Sequence, residues 1–188
     1  MDDVMEAFRA VPRAEFLRAG DRRRAAYDGP IAIGHGQTNS QPRTVADMLR
    51  LLDVRPGHRV LDVGAGSGWT TALLAHLVGP QGLVIGVERV AEIAEFGATN
   101  LAAAGMPWAR LRLAEPDILG APDEGPYDRI LVSAQPKVLP QSLIDQLRMG
   151  GVMVIPVGGR MLRVVRTTDG HNISTHGYYR FVPLVTND

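Results

Sequence analysis

The fold is decided by the stretch Val60-Leu61-Asp62-Val63-Gly64-Ala65-Gly66-Ser67-Gly68. Its first residues end an apolar run typical of a buried strand, and a helical pattern begins directly after the last glycine. Three glycines spaced by single residues let the backbone approach a ligand where a parallel strand turns into a helix. The stretch therefore predicts a Rossmann-like domain with a ligand site at this turn, which we call the glycine loop (residues 64–68).

Three other glycine motifs do not fit this stretch. The dinucleotide fingerprint would need a small residue where Trp69 stands, and a P-loop would need Gly-Lys-Ser/Thr after the glycines. A nucleophile elbow centred on Ser67 would need glycine at Ala65 and at Trp69. Nicotinamide binding, nucleotide hydrolysis and serine esterase chemistry are therefore excluded.

Short apolar runs alternate with helical patterns from residue 58 onward, which is typical of parallel strands joined by crossover helices. The predicted strands are 58–63, 83–87, 109–113, 128–133 and 152–157, and the predicted helices are 69–78, 90–104 and one opened by Pro140. Gly79, Gly105 and Gly150 stand where these helices are expected to end. Two further strand-like runs, 161–168 and 173–182, meet at Asp169-Gly170 and predict an antiparallel hairpin. We predict a mostly parallel seven-stranded sheet with a C-terminal antiparallel hairpin.

The first 56 residues have a different pattern. A short helix is predicted to begin near Asp3 and to be interrupted by Pro12, an irregular segment covers residues 21–41, and a second helix with one apolar stripe follows Pro42. We predict one domain over residues 1–188, in which residues 1–56 form an N-terminal helical cap with a long loop and residues 57–188 form the ligand-binding sheet.

Two carboxylates indicate the kind of ligand. Glu88 ends the next predicted strand, 20 residues after Gly68, where a carboxylate can accept hydrogen bonds from both hydroxyls of a ribose. Asp62 lies close to the glycine loop, where it can meet the ammonium of an amino-acid moiety directly or through water. A nucleoside joined to an amino acid is S-adenosyl-L-methionine, which we predict as the cofactor. The alternative is that the glycines only form a tight turn and that Glu88 is a solvated strand end.

The composition of the chain restricts the classes of binding partner that are expected. Lys plus Arg equal Asp plus Glu at 20 each, so no net field favours nucleic acid or an anionic membrane, and neither is expected to bind. Cysteine is absent and the histidines are isolated, so no metal site is expected. The N-terminus does not resemble a signal peptide and no apolar run could span a membrane, so we expect a cytoplasmic protein, with a monomer as the default state.

Several motifs carry a family resemblance along the whole chain. The most specific is Gly36-Gln37-Thr38-Asn39-Ser40-Gln41-Pro42, which matches the pattern Gly-Gln-Thr-x-Ser-x-Pro, and the others are Val11-Pro12-Arg13, Tyr27-Asp28-Gly29-Pro30, Pro126-Tyr127-Asp128-Arg129-Ile130 and Arg180-Phe181-Val182-Pro183-Leu184. With these motifs the chain resembles the protein-L-isoaspartate O-methyltransferases. The resemblance implies a class I, S-adenosylmethionine-dependent carboxyl O-methyltransferase that repairs isoaspartyl damage in proteins or peptides.

The resemblance also implies a role for individual residues. Ser40 carries over as the catalytic serine, on a loop that faces the methyl acceptor. The implied cofactor-binding residues are Gln37, Thr38, Asp62, Gly64, Gly66, Ser67, Glu88, Arg89, Glu115 and Pro116. The implied acceptor-binding residues are Asn39, Ser133 and Val182.

The implied chemistry needs alignment more than proton transfer. An acceptor carboxylate has a reference pKa of roughly 4, so it is ionised at neutral pH and attacks a sulfonium methyl without a general base. Holding two reactants in line can contribute on the order of 7 to 11 kcal/mol. Ser40 is therefore expected to orient the acceptor, and the competing interpretation is that it caps the helix after Pro42.

One residue and two three-residue stretches depart from the family pattern. Asn39 stands where the family usually carries Ile, which predicts a more polar wall on the acceptor side. Ala114-Glu115-Pro116 replaces Gly-Asp-Gly, so Pro116 has no amide hydrogen to offer an adenine edge, and Ser133-Ala134-Gln135 replaces Thr-Ala-Ala. One alternative is a methyltransferase that acts on Asp in a dedicated peptide or on a small-molecule acid. A second is a catalytically inactive protein that binds S-adenosylmethionine.

Overall fold

The architecture is an α/β sheet with helices on its faces. The computed structural model describes residues 2–185. In chain order, its α-helices and strands are α1 (Asp3–Ala10), β1 (Ile31–Gly34), β2 (Gln37–Asn39), α2 (Pro42–Leu52), β3 (Arg59–Val63), α3 (Trp69–Val78), β4 (Leu83–Glu88), α4 (Ala91–Ala103), β5 (Ala109–Leu113), β6 (Tyr127–Val132), α5 (Gln141–Ile144), β7 (Leu147–Val157), β8 (Arg160–Thr167) and β9 (Gly170–Tyr178). Short 3-10 helices lie at Arg13–Phe16, Ala19–Arg24 and Pro122–Glu124.

The main sheet has seven strands in the order β5-β4-β3-β6-β7-β8-β9. The pairs from β5 to β7 are parallel, whereas β8 pairs antiparallel with both β7 and β9. The predicted mostly parallel seven-stranded sheet with a C-terminal antiparallel hairpin is therefore confirmed. Since β3 has β4 on one side and β6 on the other, the strand order reverses at β3, where a ligand crevice is expected in such sheets.

The segment 21–41 is more regular than its sequence indicates. It contains β1 and β2, which pair antiparallel with Ile31 opposite Asn39 and form a two-stranded sheet of their own. In β1 the buried Ile31 and Ile33 alternate with exposed residues, but this alternation covers only four residues and β2 has only three, so the sequence pattern did not distinguish them from a loop.

The region after Pro140 also differs from the prediction. The helix there, α5, has only four residues. The expectation that Gly150 ends this helix is wrong, because Gly150 lies inside β7 with a φ of 74°. This left-handed conformation accompanies an irregular register between β6 and β7, where Tyr127 pairs with Leu147 but Arg129 pairs with Val152.

The helix α3 lies in the middle of the core. Its residues are buried on nearly every side, because the sheet covers one face and α1 packs against another. The start of α3 is held by Trp69, whose indole Nε1 donates to the carbonyl of Val11 at 3.1 Å. Among the described helices, none has the length and apolar character needed to cross a membrane.

Arg13 ties the N-terminal cap to the segment that ends at Ser40. The guanidinium Nη1 donates to the carbonyl of Tyr27 at 2.7 Å, and Nη2 donates to the carbonyls of Gly29, Asn39 and Ser40 at 2.8, 3.1 and 3.0 Å. The side chain is buried, and desolvation lowers the pKa of Arg13 to about 10, which keeps it protonated at neutral pH. Carbonyl and amide oxygens therefore accept all the hydrogen bonds of this charge, and the nearby Asp28 carboxylate adds an electrostatic attraction.

Asp62 fixes the first turn of α3 to β3. Its Oδ2 accepts from the hydroxyls of Thr70 and Thr71 at 2.8 and 2.7 Å, while Oδ1 has no hydrogen-bond partner among residues 2–185. The carboxyl group is fully buried, and this desolvation raises its pKa to about 6. The glycine loop between Asp62 and Thr70 is thus held at both ends.

We expect Arg13→Lys to destabilise the protein by about 2 to 4 kcal/mol, because the ammonium group of lysine cannot replace a planar guanidinium that donates to several carbonyls. The free energy of unfolding in urea measures the loss. Arg22→Lys, on the exposed surface of the same segment, is the matched control and should change stability by less than about 0.5 kcal/mol. Equal stability of the two variants would contradict the role given to Arg13.

The titration of Asp62 gives a second prediction. Its pKa is about 6 in the folded protein against 3.8 for the free side chain, so the folded state binds more protons between these values and stability falls as the pH rises through that window. In Asp62→Asn this fall, at most about 3 kcal/mol, should be absent. The difference in unfolding free energy between wild type and variant is measured from pH 4 to pH 7, with the exposed Asp123→Asn as control. A difference that does not vary with pH would rule out this titration.

Candidate active site

A cleft of about 1450 Å³ opens at the carboxyl ends of the parallel strands. Its floor is formed by the residues that end or follow β3, β4, β5 and β6. One wall comes from residues 37–41 and the other from the C-terminal segment 180–185. The cleft therefore lies at the crevice that the strand order predicts, between the N-terminal cap and the end of the described chain.

The glycine loop is tied to β4 by backbone and side-chain bonds. The amides of Gly64 and Ala65 donate to the carbonyl of Val87 at 3.0 and 3.1 Å. The amide of Gly66 donates to Glu88 Oε2 at 3.0 Å, and Oε1 of the same carboxylate accepts from the amide of Val90 at 3.0 Å. Glu88 is thus held rigidly beside the loop, with lone pairs left for a ligand.

Gly68 shows why the loop needs glycine at its last position. Its φ is 88°, in the left-handed region, and a Cβ there would lie 2.8 Å from the carbonyl oxygen of Gly97. The loop and α4 therefore approach each other more closely than side chains would allow.

Ser40 lines the opposite side of the cleft, directly after β2. Its carbonyl is held by Arg13, and its hydroxyl makes no hydrogen bond with any described residue. The N-cap of α2 is Gln41 rather than Ser40, and the Gln41 side chain makes no capping bond. The interpretation of Ser40 as a helix cap is therefore wrong, and its hydroxyl is available to a ligand.

Asn39 lies beside Ser40, but its amide is used inside the protein. Its Oδ1 accepts from Arg13 Nε at 2.6 Å and its Nδ2 donates to Ser67 Oγ at 3.0 Å. The residue is only 4% exposed. The more polar acceptor wall expected from this position is therefore not present, because both polar atoms of the amide already have partners.

The C-terminal segment completes the acceptor side of the cleft. The amide of Gln135 donates to the carbonyl of Val182 and the amide of Leu184 donates to the carbonyl of Gln135, both at 2.8 Å. Ser133 follows β6 on the same side, and its amide donates to the carbonyl of Val63 at 2.9 Å. Val182 and Ser133 both line the cleft.

Most residues predicted from the sequence meet in this cleft. It is lined by Gln37, Thr38, Asn39, Ser40, Gly64, Gly66, Ser67, Glu88, Arg89, Glu115, Pro116, Ser133 and Val182. Asp62 is different, since it has no exposed surface, does not line the cleft and holds α3 from beneath the glycine loop.

Sequence reasoning missed three charged residues. Arg13 holds Ser40 from the core, and a charged residue inside the motif Val11-Pro12-Arg13 was the signal that could have identified it. Lys137 and Arg180 line the acceptor side of the cleft, and neither makes an ion pair within residues 2–185. Two cations without ion-pair partners in the same cleft as Val182 favour an anionic acceptor.

No group of three or more His, Cys, Asp or Glu side chains in the described part of the chain is arranged to hold a metal ion. His35 contacts Glu92 through its Nε2 at 2.5 Å on the surface. His171 and His176 lie in the β9 hairpin, as expected from the sequence.

The sequence matches the family model of protein-L-isoaspartate(D-aspartate) O-methyltransferase (PCMT) over residues 1–188. It is 49% identical over 187 residues to the protein-L-isoaspartate O-methyltransferase of Methanopyrus kandleri, with 97% of this chain and 83% of that protein covered. It is 42% identical over 185 residues to protein-L-isoaspartate O-methyltransferase 1 of Archaeoglobus fulgidus, with 97% and 85% covered.

Similarity of structure agrees with similarity of sequence. The crystal structure named as a protein-L-isoaspartate O-methyltransferase from Plasmodium falciparum, in complex with S-adenosyl-L-homocysteine, superposes with a TM-score of 0.86 at 28% identity. The match covers 100% of this chain and 92% of that one. With a family match along its whole length, the chain belongs to the protein-L-isoaspartate(D-aspartate) O-methyltransferase family.

Proposed function

We propose that this chain transfers the methyl group of S-adenosylmethionine to the isoaspartyl carboxylate of damaged proteins or peptides. The observation that carries the proposal is one cleft in which the glycine loop with Glu88 faces the unpaired hydroxyl of Ser40. Family membership indicates the reaction, and the cleft is a candidate binding site for both the cofactor and the acceptor.

The residues of the cofactor side fit S-adenosylmethionine. Glu88 presents a carboxylate to the cleft, fixed by two backbone amides and able to accept from ribose hydroxyls. Leu113 and Ile118 line the cleft with exposed apolar side chains suited to an adenine face. Bound there, the cofactor supplies an electrophilic methyl group. We propose that the following residues also hold it: Gln37, Thr38, Gly64, Gly66, Arg89, Glu115 and Pro116, together with the main chain of Ser67, whose buried hydroxyl is already bonded to Asn39.

Asp62 is expected to support cofactor binding indirectly. Its buried carboxyl fixes the turn of α3 that follows the glycine loop, through the hydroxyls of Thr70 and Thr71. We propose that it shapes the loop for the cofactor and does not touch it.

The acceptor side favours an ionised carboxylate. Lys137 and Arg180 draw an anion toward this wall, where Ser133 and Val182 would contact the peptide. The hydroxyl of Ser40 donates to one carboxylate oxygen and orients the other toward the methyl group. No group has to accept a proton, because a carboxyl with a reference pKa of roughly 4 is already ionised at neutral pH.

The same proposal retains the division of the chain into residues 1–56, as cap and acceptor-side loop, and residues 57–188, as the cofactor-binding sheet. A protein or peptide acceptor, a cytoplasmic location and a monomeric state are the accompanying predictions. An Asp in a dedicated peptide or a small acid is the alternative acceptor, and an inactive cofactor-binding protein is the alternative function. The internal pairing of the Asn39 amide removes one of the reasons for a different acceptor.

We expect methyl label to pass from S-adenosylmethionine to an isoaspartyl peptide and not to a matched peptide with Asp, because the family to which the chain belongs is that of protein-L-isoaspartate O-methyltransferases. Base-labile incorporation into each peptide is the measurement, with heat-denatured enzyme as control. Label on neither peptide, from enzyme that binds S-adenosylhomocysteine in calorimetry, would contradict the proposed acceptor and direct the search to small acids.

We expect Ser40→Ala to lower kcat by about tenfold to hundredfold, the value of a hydroxyl hydrogen bond to a charged acceptor. The affinity for S-adenosylhomocysteine should stay nearly unchanged, since the hydroxyl faces the acceptor. Single-turnover label transfer and calorimetry measure the two quantities. Ser174→Ala, on exposed β9, is the matched control and should retain full turnover. Full turnover of Ser40→Ala as well would remove Ser40 from the mechanism.

A further inference from the structure

Three buried polar side chains join the two sides of the cleft. Arg13 Nε donates to Asn39 Oδ1 at 2.6 Å, and Asn39 Nδ2 donates to Ser67 Oγ at 3.0 Å. The three residues are 5%, 4% and 2% exposed, respectively. We call Arg13, Asn39 and Ser67 the polar bridge.

The polar bridge connects the two loops that have to cooperate in methyl transfer. At one end Asn39 is covalently adjacent to Ser40, and Arg13 also holds the Ser40 carbonyl. At the other end Ser67 lies in the glycine loop, where its own carbonyl accepts from Asn100 Nδ2 at 3.0 Å. Each end of the bridge is therefore fixed to a separate part of the protein.

The orientation of the Asn39 amide is determined by its neighbours. A guanidinium has only donors, so the atom facing Arg13 must be the amide oxygen, and the amide nitrogen is left to donate to Ser67. Hydrogen bonds in such a buried place have a defined direction, and loss of one partner leaves the other unsatisfied. The bridge is thus a directional connection rather than a loose contact.

The backbone offers no equivalent connection. The hairpin β1–β2, which carries Asn39 and precedes Ser40, forms a sheet separate from the seven-stranded one within the described residues. Ile33 contributes an apolar contact, since its Cδ1 lies 3.5 Å from the position of a Cβ on Gly66. Apolar contacts limit the distance between the loops but set direction poorly, and the exposed contact of His35 with Glu92 ties only the turn of the hairpin to α4. The buried side-chain hydrogen bonds therefore define the register.

We propose that Asn39 is a positioning residue, which holds Ser40 in register with the glycine loop through the polar bridge. This inference rests on the proposed function and deepens it. A displacement of about 1 Å between reactants can cost about a hundredfold in rate, so a connection of this kind acts on kcat. Asn39 thereby differs from an acceptor-binding residue, which would act on the KM for the peptide.

The test compares Asn39→Leu, Ser67→Ala and the double variant with wild type at saturating cofactor. Leucine has nearly the shape of asparagine but cannot bond to Arg13 or to Ser67. We expect each single variant to lose about tenfold in kcat for the isoaspartyl peptide, with the KM for the peptide and the affinity for S-adenosylhomocysteine changed less than twofold. The double variant should lose no more than the worse single variant, because both break one connection.

Val78→Ala is the matched control for lost stability. Val78 is fully buried at the far end of α3 and does not line the cleft. We expect this variant to melt at a lower temperature than wild type while retaining kcat well below its melting point. A merely structural role for Asn39 would give the same pattern in Asn39→Leu and would overturn the proposal.

Other outcomes are equally decisive. If Asn39→Leu does not fold, Ser67→Ala decides the matter, since it removes one hydroxyl and leaves the bond between Arg13 and Asn39. A tenfold loss in kcat there supports the bridge, and weaker cofactor binding with unchanged kcat refutes it. Losses that multiply in the double variant also refute it. Wild-type enzyme that transfers no methyl group would instead refute the proposed function.

Discussion

The hydrogen bond from the Gly66 amide to the Glu88 carboxylate is the contact on which the site depends. It joins the turn after β3 to the end of β4, on one side of the point where the strand order reverses. With Asp62 holding the start of α3 from below, the glycine loop has a fixed shape before any ligand arrives. Because the loop is preformed, little of the free energy of ligand binding is lost in ordering it, and more remains to align the reactants.

Local sequence patterns predict much of this arrangement. The bounds of α3 and β5 agree with the helix 69–78 and the strand 109–113 predicted from the sequence, because Gly68 and Gly79 bound the helix and apolar residues alternate with arginine along the strand. The motif from Gly36 to Pro42 and the glycine loop likewise meet in one cleft. Fold and site could be predicted where the residues that act together are neighbours in the chain or share a repeating pattern.

The remaining features depend on contacts between distant residues. Arg13 and Asn39 are 26 positions apart, and Asn39 and Ser67 are 28 apart, so no period or spacing connects them. The sequence presented Asn39 as a polar group for the acceptor, whereas the fold uses it internally. It also placed Asp62 at the ligand, although a fully buried carboxyl that binds two threonine hydroxyls has a supporting role. Burial decides what a polar residue does, and burial depends on the whole fold.

The surroundings of Arg13 have a consequence for the conditions in which the acceptor side keeps its shape. Its hydrogen-bond partners are the carbonyls of Ala25, Tyr27, Gly29, Asn39 and Ser40 and the amide oxygen of Asn39, none of which can take up a proton under mild acid. A buried charge among dipoles is also poorly reached by dissolved salt. The hydrogen bonds that hold Ser40 therefore depend less on acidity and ionic strength than does the ion pair between Asp28 and Arg43 at the surface of the same segment.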